Sequence, residues 1–177
     1  MKPLWQLSAI DQAAGVKNRS FTAIELVQSA LGRIEQKNAE LNAIVDLLDE
    51  SALNAAQAAD AAVADGSALG PLHGVPVTVK VNVDTKGRAT TNGMGVFKDT
   101  IAPDHSPIVS NLLKSGAILI GRTNTPEMSM RLTTDNPLHG LTRNPWDSQA
   151  SPGGSSGGAA AAGAAGFAAI NHGNDIA

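Results

Sequence analysis

The chain has 177 residues, 42% of them hydrophobic and 16% charged, with a formal net charge of −3. That length supports one domain with a buried core. The weak, scattered charge offers no electrostatic footprint for nucleic acid or an anionic membrane, and the lack of cysteine excludes disulfides, thiolate metal sites and a thiol nucleophile.

The start of the chain has no apolar leader before Asp11, and no charge-free apolar run is long enough to span a bilayer, so a cytoplasmic protein is expected. Ser8 followed by Asp11 predicts a helix start, with Gly15 and Asn18 stopping the helix after about two turns. Thr22 and Glu25 form a capping box. Behind it Ile24, Val27, Leu31 and Ile34 recur at helical spacing, which predicts a packing helix. Asn42 to Val45 reads as a short strand, and the Ala-rich stretch from Glu50 to Asp65 as a second surface helix closed by Gly66.

From Val75 to Val81, valines alternate with Pro76, Thr78 and Lys80. This is the period of a strand, and it places Lys80 on one face with Thr78 and Asn82. Ser106 and Pro107 start a helix that runs to Gly116, and Ala117 to Ile120 follows as a buried strand, an order typical of α/β folds. Gly121 to Gly154 reads mostly as loop, too long for a simple connection. Gly153-Gly154-Ser155-Ser156-Gly157-Gly158 then opens an Ala-rich stretch, Ala159 to Ala165, and Phe167 to Ile170 reads as another short strand. The chain is expected to be a single domain, 1–177, with a helical region over 1–70 and a sheet region with the Lys and Gly/Ser-rich motifs over 71–177.

A glycine-flanked serine pair entering a helix suits either an anion held by backbone N–H groups or a hydroxyl approached closely by substrate. The phosphate-loop pattern requires a lysine after the last glycine, where alanine stands here, and the dinucleotide pattern of spaced glycines after a strand is absent. A nucleophile elbow centred on Ser155 or Ser156 fails on context. No strand precedes it, and the later His172 comes before the later Asp175, against the order that such enzymes use. A lysine near a strand end is usually a solvated charge. Paired with a serine it gains meaning: uncharged, it can take the serine's proton, provided that burial lowers its pKa from about 10.4, which the valine-lined strand is expected to do. The four histidines, His73, His105, His139 and His172, show no metal-ligand spacing and read as structural.

Several separated motifs together resemble the amidase signature family, whose members hydrolyse carboxamides with a serine–serine–lysine triad. Gly74 to Lys80, followed by Gly87 and Thr90-Thr91-Asn92-Gly93, resembles the family's lysine strand and the loop after it. Gly121-Arg122-Thr123-Asn124 with Glu127 is similar to a further conserved segment. Asn136-Pro137, Asn144-Pro145-Trp146 and Ser151 to Gly158 resemble the central signature, and Gly173-Asn174-Asp175-Ile176 the segment leading to the nucleophile. Order and spacing agree over essentially the whole chain.

The resemblance implies an α/β/α fold around a central mixed, twisted sheet, incomplete within these residues. It implies that Lys80 is the base, that Ser155, after a cis peptide bond, relays its proton, and that Ser156 supports the relay. Backbone N–H groups of Ile176 and Ala177 would belong to the oxyanion hole, and Met128, Ser129 and Met130 to the substrate-binding region. No metal or cofactor is implied. The partner is a small-molecule amide, without nucleic acid or membrane, and a homodimer stays open. Departures are Val81 in place of an aspartate, Gly163 in a stretch of Ala and Val, and Ala177 where the first of two glycines before the catalytic serine is expected. The nucleophile is therefore expected beyond Ala177, and the fragment alone to be inactive. Two other readings are an inactive, truncated amidase-like protein and the amidase component of a tRNA-dependent amidotransferase.

Overall fold

A computed structural model describes residues 2–175. Helix α1 (Ala9–Lys17) starts at Ser8, whose hydroxyl accepts from the Asp11 N–H, and ends at Asn18. Gly15 does not stop it: the position lies inside the helix, and a Cβ there would collide with the Phe21 ring. Helix α2 (Ala23–Leu41) carries both bonds of the capping box between Thr22 and Glu25. It ends at Asn42, which adopts a left-handed conformation with φ 50°. The first strand, β1 (Ile44–Leu47), therefore begins two residues after the expected Asn42, once the chain has left the helix cap. The Asn38 side chain fixes that exit by accepting from the Ala43 and Ile44 N–H groups. Helix α3 (Asp49–Ala64) follows.

Strand β2 (Pro76–Lys80) is buried along its whole length, and helix α4 (Pro107–Lys114) is capped by Ser106. Strand β3 (Ile118–Thr123) runs three residues further than its apolar run suggests, because Gly121, Arg122 and Thr123 pair with β1 on one side and β2 on the other. Two neighbours satisfy a backbone that local sequence marks as loop. Helix α5 (Gly157–Ala165) and the two-residue strand β4 (Ile170–Asn171) complete the described elements. Phe167, expected in that last strand, is instead a fully buried core side chain.

The four described strands lie in the order β1-β3-β2-β4, with β1 antiparallel to β3 and the other pairs parallel. This is a mixed α/β sheet. Buried side chains of α2, α3 and α5 form the main core with Ile118 and Ile120, while Val77, Val79 and Leu119 pack with Val109 and Leu112 of α4. Strand β1, from the first 70 residues, belongs to the same sheet as the later strands.

Candidate active site

Strand β2 ends at Lys80, a fully buried side chain whose pleat alternation turns it away from the valines. Its Nζ lies 2.7 Å from Ser155 Oγ, 2.9 Å from Asn174 Oδ1 and 3.3 Å from Ser156 Oγ. Burial lowers the Lys80 pKa from its ordinary 10.5 to about 8, opposed in part by the negative charge of Asp175. Val77 and Val79 pack toward α4, while Ser155, Ser156 and Asn174 lie against the amine.

That segment is held from several sides. The Gly154–Ser155 peptide bond is cis. Thr125 Oγ1 donates to the Ser155 carbonyl at 3.2 Å, and Thr134 Oγ1 donates to the Gly153 carbonyl at 3.0 Å while accepting from the Gly157 N–H. Gly158 lies so close to the Asn124 backbone that a Cβ would clash with it. Asn136 Nδ2 in turn donates to Asn124 Oδ1 and the Thr125 carbonyl, at 2.8 and 2.7 Å. The long loop between β3 and α5 is thus a scaffold of buried Asn and Thr side chains that fixes the serine pair against Lys80.

A hydrogen-bond inventory limits how the amine can be arranged. Asn174 Oδ1 can only accept. Ser156 Oγ donates to the Asn174 carbonyl at 3.0 Å, so toward Lys80 it too is an acceptor. A neutral amine has two N–H groups and one lone pair. With the N–H groups directed at Asn174 and Ser156, the lone pair is left for the Ser155 O–H. These three partners, among the described residues, are uncharged, so they do not hold the amine in its ammonium form as a bonded carboxylate would.

The other candidates are placed as follows. Ser129 is buried, accepting from Asn82 Nδ2 at 2.9 Å and sharing a 2.9 Å hydrogen bond with Thr125 Oγ1. Met128 and Met130 are exposed on either side of it. Both Met128 and Ser129 have positive φ, 52° and 60°, in a short 3₁₀ turn. Ile176 and Ala177 lie outside the described residues. None of the four histidines bonds to Lys80 or Ser155 among the described residues: His73 meets the Ala59 carbonyl, His105 accepts from the Lys86 N–H, and His139 meets Thr91. The His172 backbone N–H donates to the Thr78 carbonyl, and burial, then the charge of Lys80, lowers its pKa.

Among the described residues no group of three or more His, Asp or Glu side chains could hold a metal ion, and no helix is long and apolar enough to cross a membrane. Sequence reasoning gave no role to Asn82, Thr125 or Asn174. The alternation that put Asn82 on the Lys80 face was the available signal for the first; the other two meet the site only through tertiary contacts.

The amidase family model matches residues 25–177. The indoleacetamide hydrolase of Bradyrhizobium diazoefficiens is 55% identical over 174 residues, covering 98% of this chain and 33% of the relative. A glutamyl-tRNA(Gln) amidotransferase subunit from Cyanothece sp. is 43% identical over 158 residues, covering 89% of this chain and 33% of the relative. Among solved structures, a fatty acid amide hydrolase superposes with a TM-score of 0.95 at 30% identity, covering 99% of this chain and 32% of that one. A bacterial aryl acylamidase of the amidase signature enzymes superposes at 0.90 with 34% identity, covering 94% and 35%. The chain spans about a third of the length of the curated relatives it matches.

Proposed function

The chain belongs to the amidase family, and from that premise we propose that it carries the proton-handling half of an amidase. The reaction is hydrolysis of a small carboxamide to a carboxylate and ammonia or an amine. The observation that carries this reading is the buried Lys80 amine, 2.7 Å from Ser155 Oγ and hydrogen-bonded to the neutral oxygens of Ser155, Ser156 and Asn174.

In this mechanism neutral Lys80 accepts the Ser155 proton while Ser155 takes one from a nucleophilic serine outside the 177 residues. That serine attacks the amide carbon, and the oxyanion is received by backbone N–H groups including those of Ile176 and Ala177. The proton returns from Lys80 through Ser155 to the departing nitrogen, the C–N bond breaks, and an acyl-enzyme remains. Water, deprotonated by the same relay, attacks the ester and releases the acid. Ser156 keeps the amine aligned, and Met128 and Met130 provide apolar surface near the acyl group.

The identity to an indoleacetamide hydrolase supports an aryl-substituted primary amide as substrate. The lower identities to amidotransferase subunits, 36% to 43%, support the free hydrolase over the amidotransferase reading. The weak, scattered charge of −3 supports a reading without nucleic-acid or anionic-membrane partners. The test is ammonia release from indoleacetamide by the full-length protein, combined with fluorophosphonate labelling and mass spectrometry. Release with one labelled serine outside residues 1–177 supports the reading. No release and no label favours an inactive remnant, and copurification of partner subunits favours an amidotransferase.

A further inference from the structure

One side chain near the amine is neither part of the proton relay nor explained by packing. Asn82 lies two residues after Lys80, on the same face, half-buried. Its Nδ2 donates in two directions, to Ser129 Oγ at 2.9 Å and to Asn174 Oδ1 at 3.2 Å. Its Oδ1 accepts from Asn174 Nδ2 at 3.4 Å. Thr125 Oγ1 spends its hydrogen on the Ser155 carbonyl and so accepts from Ser129 Oγ, which must accept from Asn82 Nδ2; with Asn82 so fixed, the facing Asn174 amide keeps its oxygen toward Lys80. Rotated by half a turn, Asn174 would present N–H groups to an amine that already has its own to place.

Ser129 is the second end of this grip. It sits in the turn with two consecutive positive-φ residues, Met128 and Ser129, a backbone state that non-glycine residues hold only when neighbours impose it. The Met128 N–H donates to the Asn92 carbonyl at 2.9 Å, and Ser129 Oγ reaches Thr125 Oγ1, which donates to the Ser155 carbonyl. A closed circuit results: Lys80, Asn174, Asn82, Ser129, Thr125, Ser155 and back to Lys80. Asn82 is the member that joins the exposed methionine turn to the acceptor of the amine.

We propose that Asn82 is a positioning residue, which orients the Asn174 amide toward Lys80 and ties the Met128–Ser129 turn to that base. The proposal rests on the reading of Lys80 as the proton acceptor. Its physical content is that Asn174 Oδ1 favours the protonated amine and fixes where the lone pair points. Losing that oriented acceptor lowers the affinity of Lys80 for a proton and misdirects the lone pair.

The experiment compares Asn82→Ala, Asn174→Ala and the double variant of the full-length protein, using pH profiles of indoleacetamide hydrolysis. Asn82→Ala is expected to lower kcat by roughly a hundredfold, the low end of what positioned acid–base groups contribute, with KM within about twofold. It should also move the ascending limb of kcat/KM to lower pH. Asn174→Ala, at an exposed position, should move the limb the same way with the thermal unfolding midpoint checked alongside, and the double variant should go no further than either single one. An unmoved limb in Asn174→Ala, multiplicative losses in the double variant, or an effect confined to KM would each overturn the role of Asn82. Lys80→Met serves as the control: retained activity would overturn the base reading itself, whereas lost activity beside an unmoved limb overturns only the positioning role.

Discussion

Two cations are buried one register step apart on neighbouring strands, and the molecule treats them in opposite ways. Lys80 is 0% exposed and Arg122 1%. In the ladder Lys80 pairs with Thr123, and Arg122 with Val79. Arg122 donates to the carboxylate of Asp46 at 3.1 Å, to the Ala89 carbonyl at 2.8 Å, and to the Val81 and Val83 carbonyls at 3.0 and 3.1 Å. Arg88 also pairs with Asp46 from the surface side. This cation is enclosed by a counter-charge and by backbone acceptors, and a guanidinium does not deprotonate in proteins. It fastens the loop after Lys80 to β1. Lys80 has the same burial, but its hydrogen bonds among the described residues go to hydroxyl and amide oxygens, and the charge of Asp175 offsets its desolvation only in part. The contrast teaches that the partners of a buried cation, more than its burial, separate a brace from a group poised to exchange a proton.

The comparison breaks most sharply at Lys80 itself. Lys80→Met is expected to abolish hydrolysis by the full-length protein, by roughly 10⁶-fold as for other members of catalytic triads, with the melting temperature unchanged or raised because a buried amine has been removed. A variant with a few per cent of wild-type turnover would contradict the assignment. Ser155→Ala removes the relay hydroxyl but not the base, and single-turnover acylation should fall by roughly 10³-fold.

On the other side of the comparison, Asp46→Ala strands the Arg122 charge. Denaturant unfolding should show a loss of about 3 kcal/mol, while the pH profile of the remaining activity keeps its midpoint. A moved midpoint would mean that the two cations are coupled rather than separate. The pH dependence sharpens the same point. Since Lys80 must be neutral to act, kcat/KM should rise with pH through about 8 and fall about tenfold per unit below that. The stability effect has the same sign. The folded pKa is below the unfolded 10.5, so the unfolded chain binds the extra proton, and unfolding free energy should rise between about pH 8 and 10.5 and be flat below. Replacing Lys80 by Met should remove that slope. The smallest effect lies far from both: Thr22→Ala, which breaks the capping box of α2, should cost about 1 kcal/mol in thermal unfolding and leave the pH profile untouched.

Much of the frame was legible from local chemistry. Ser8, Thr22 and Ser106 each cap the helix that their side chains announce, because capping is settled within four residues. The alternation around Lys80 gave β2 and the shared face of Lys80, Thr78 and Asn82 for the same reason. Where long-range pairing decided, the reading fell short. Gly121 to Thr123 looked like loop, yet it is strand because β1 and β2 both offer it partners. The loop that follows was read as too long for a simple connection, but its work as a scaffold depends on Thr125, Thr134 and Asn136 meeting groups 11 to 30 residues away.

The amino-acid order by itself determined the element types, the pairing of a lysine strand with a Gly/Ser-rich helix entrance, and the family, since these rest on periodicity, caps and motifs that survive without a fold. The tertiary structure alone decided that β2 is buried on both faces, that Asn174 meets the amine while Asn82 meets Asn174, and that Arg122 is a brace. A pKa and a hydrogen-bond direction depend on the atoms that burial brings within about 3 Å, and those atoms come from segments far apart in the chain.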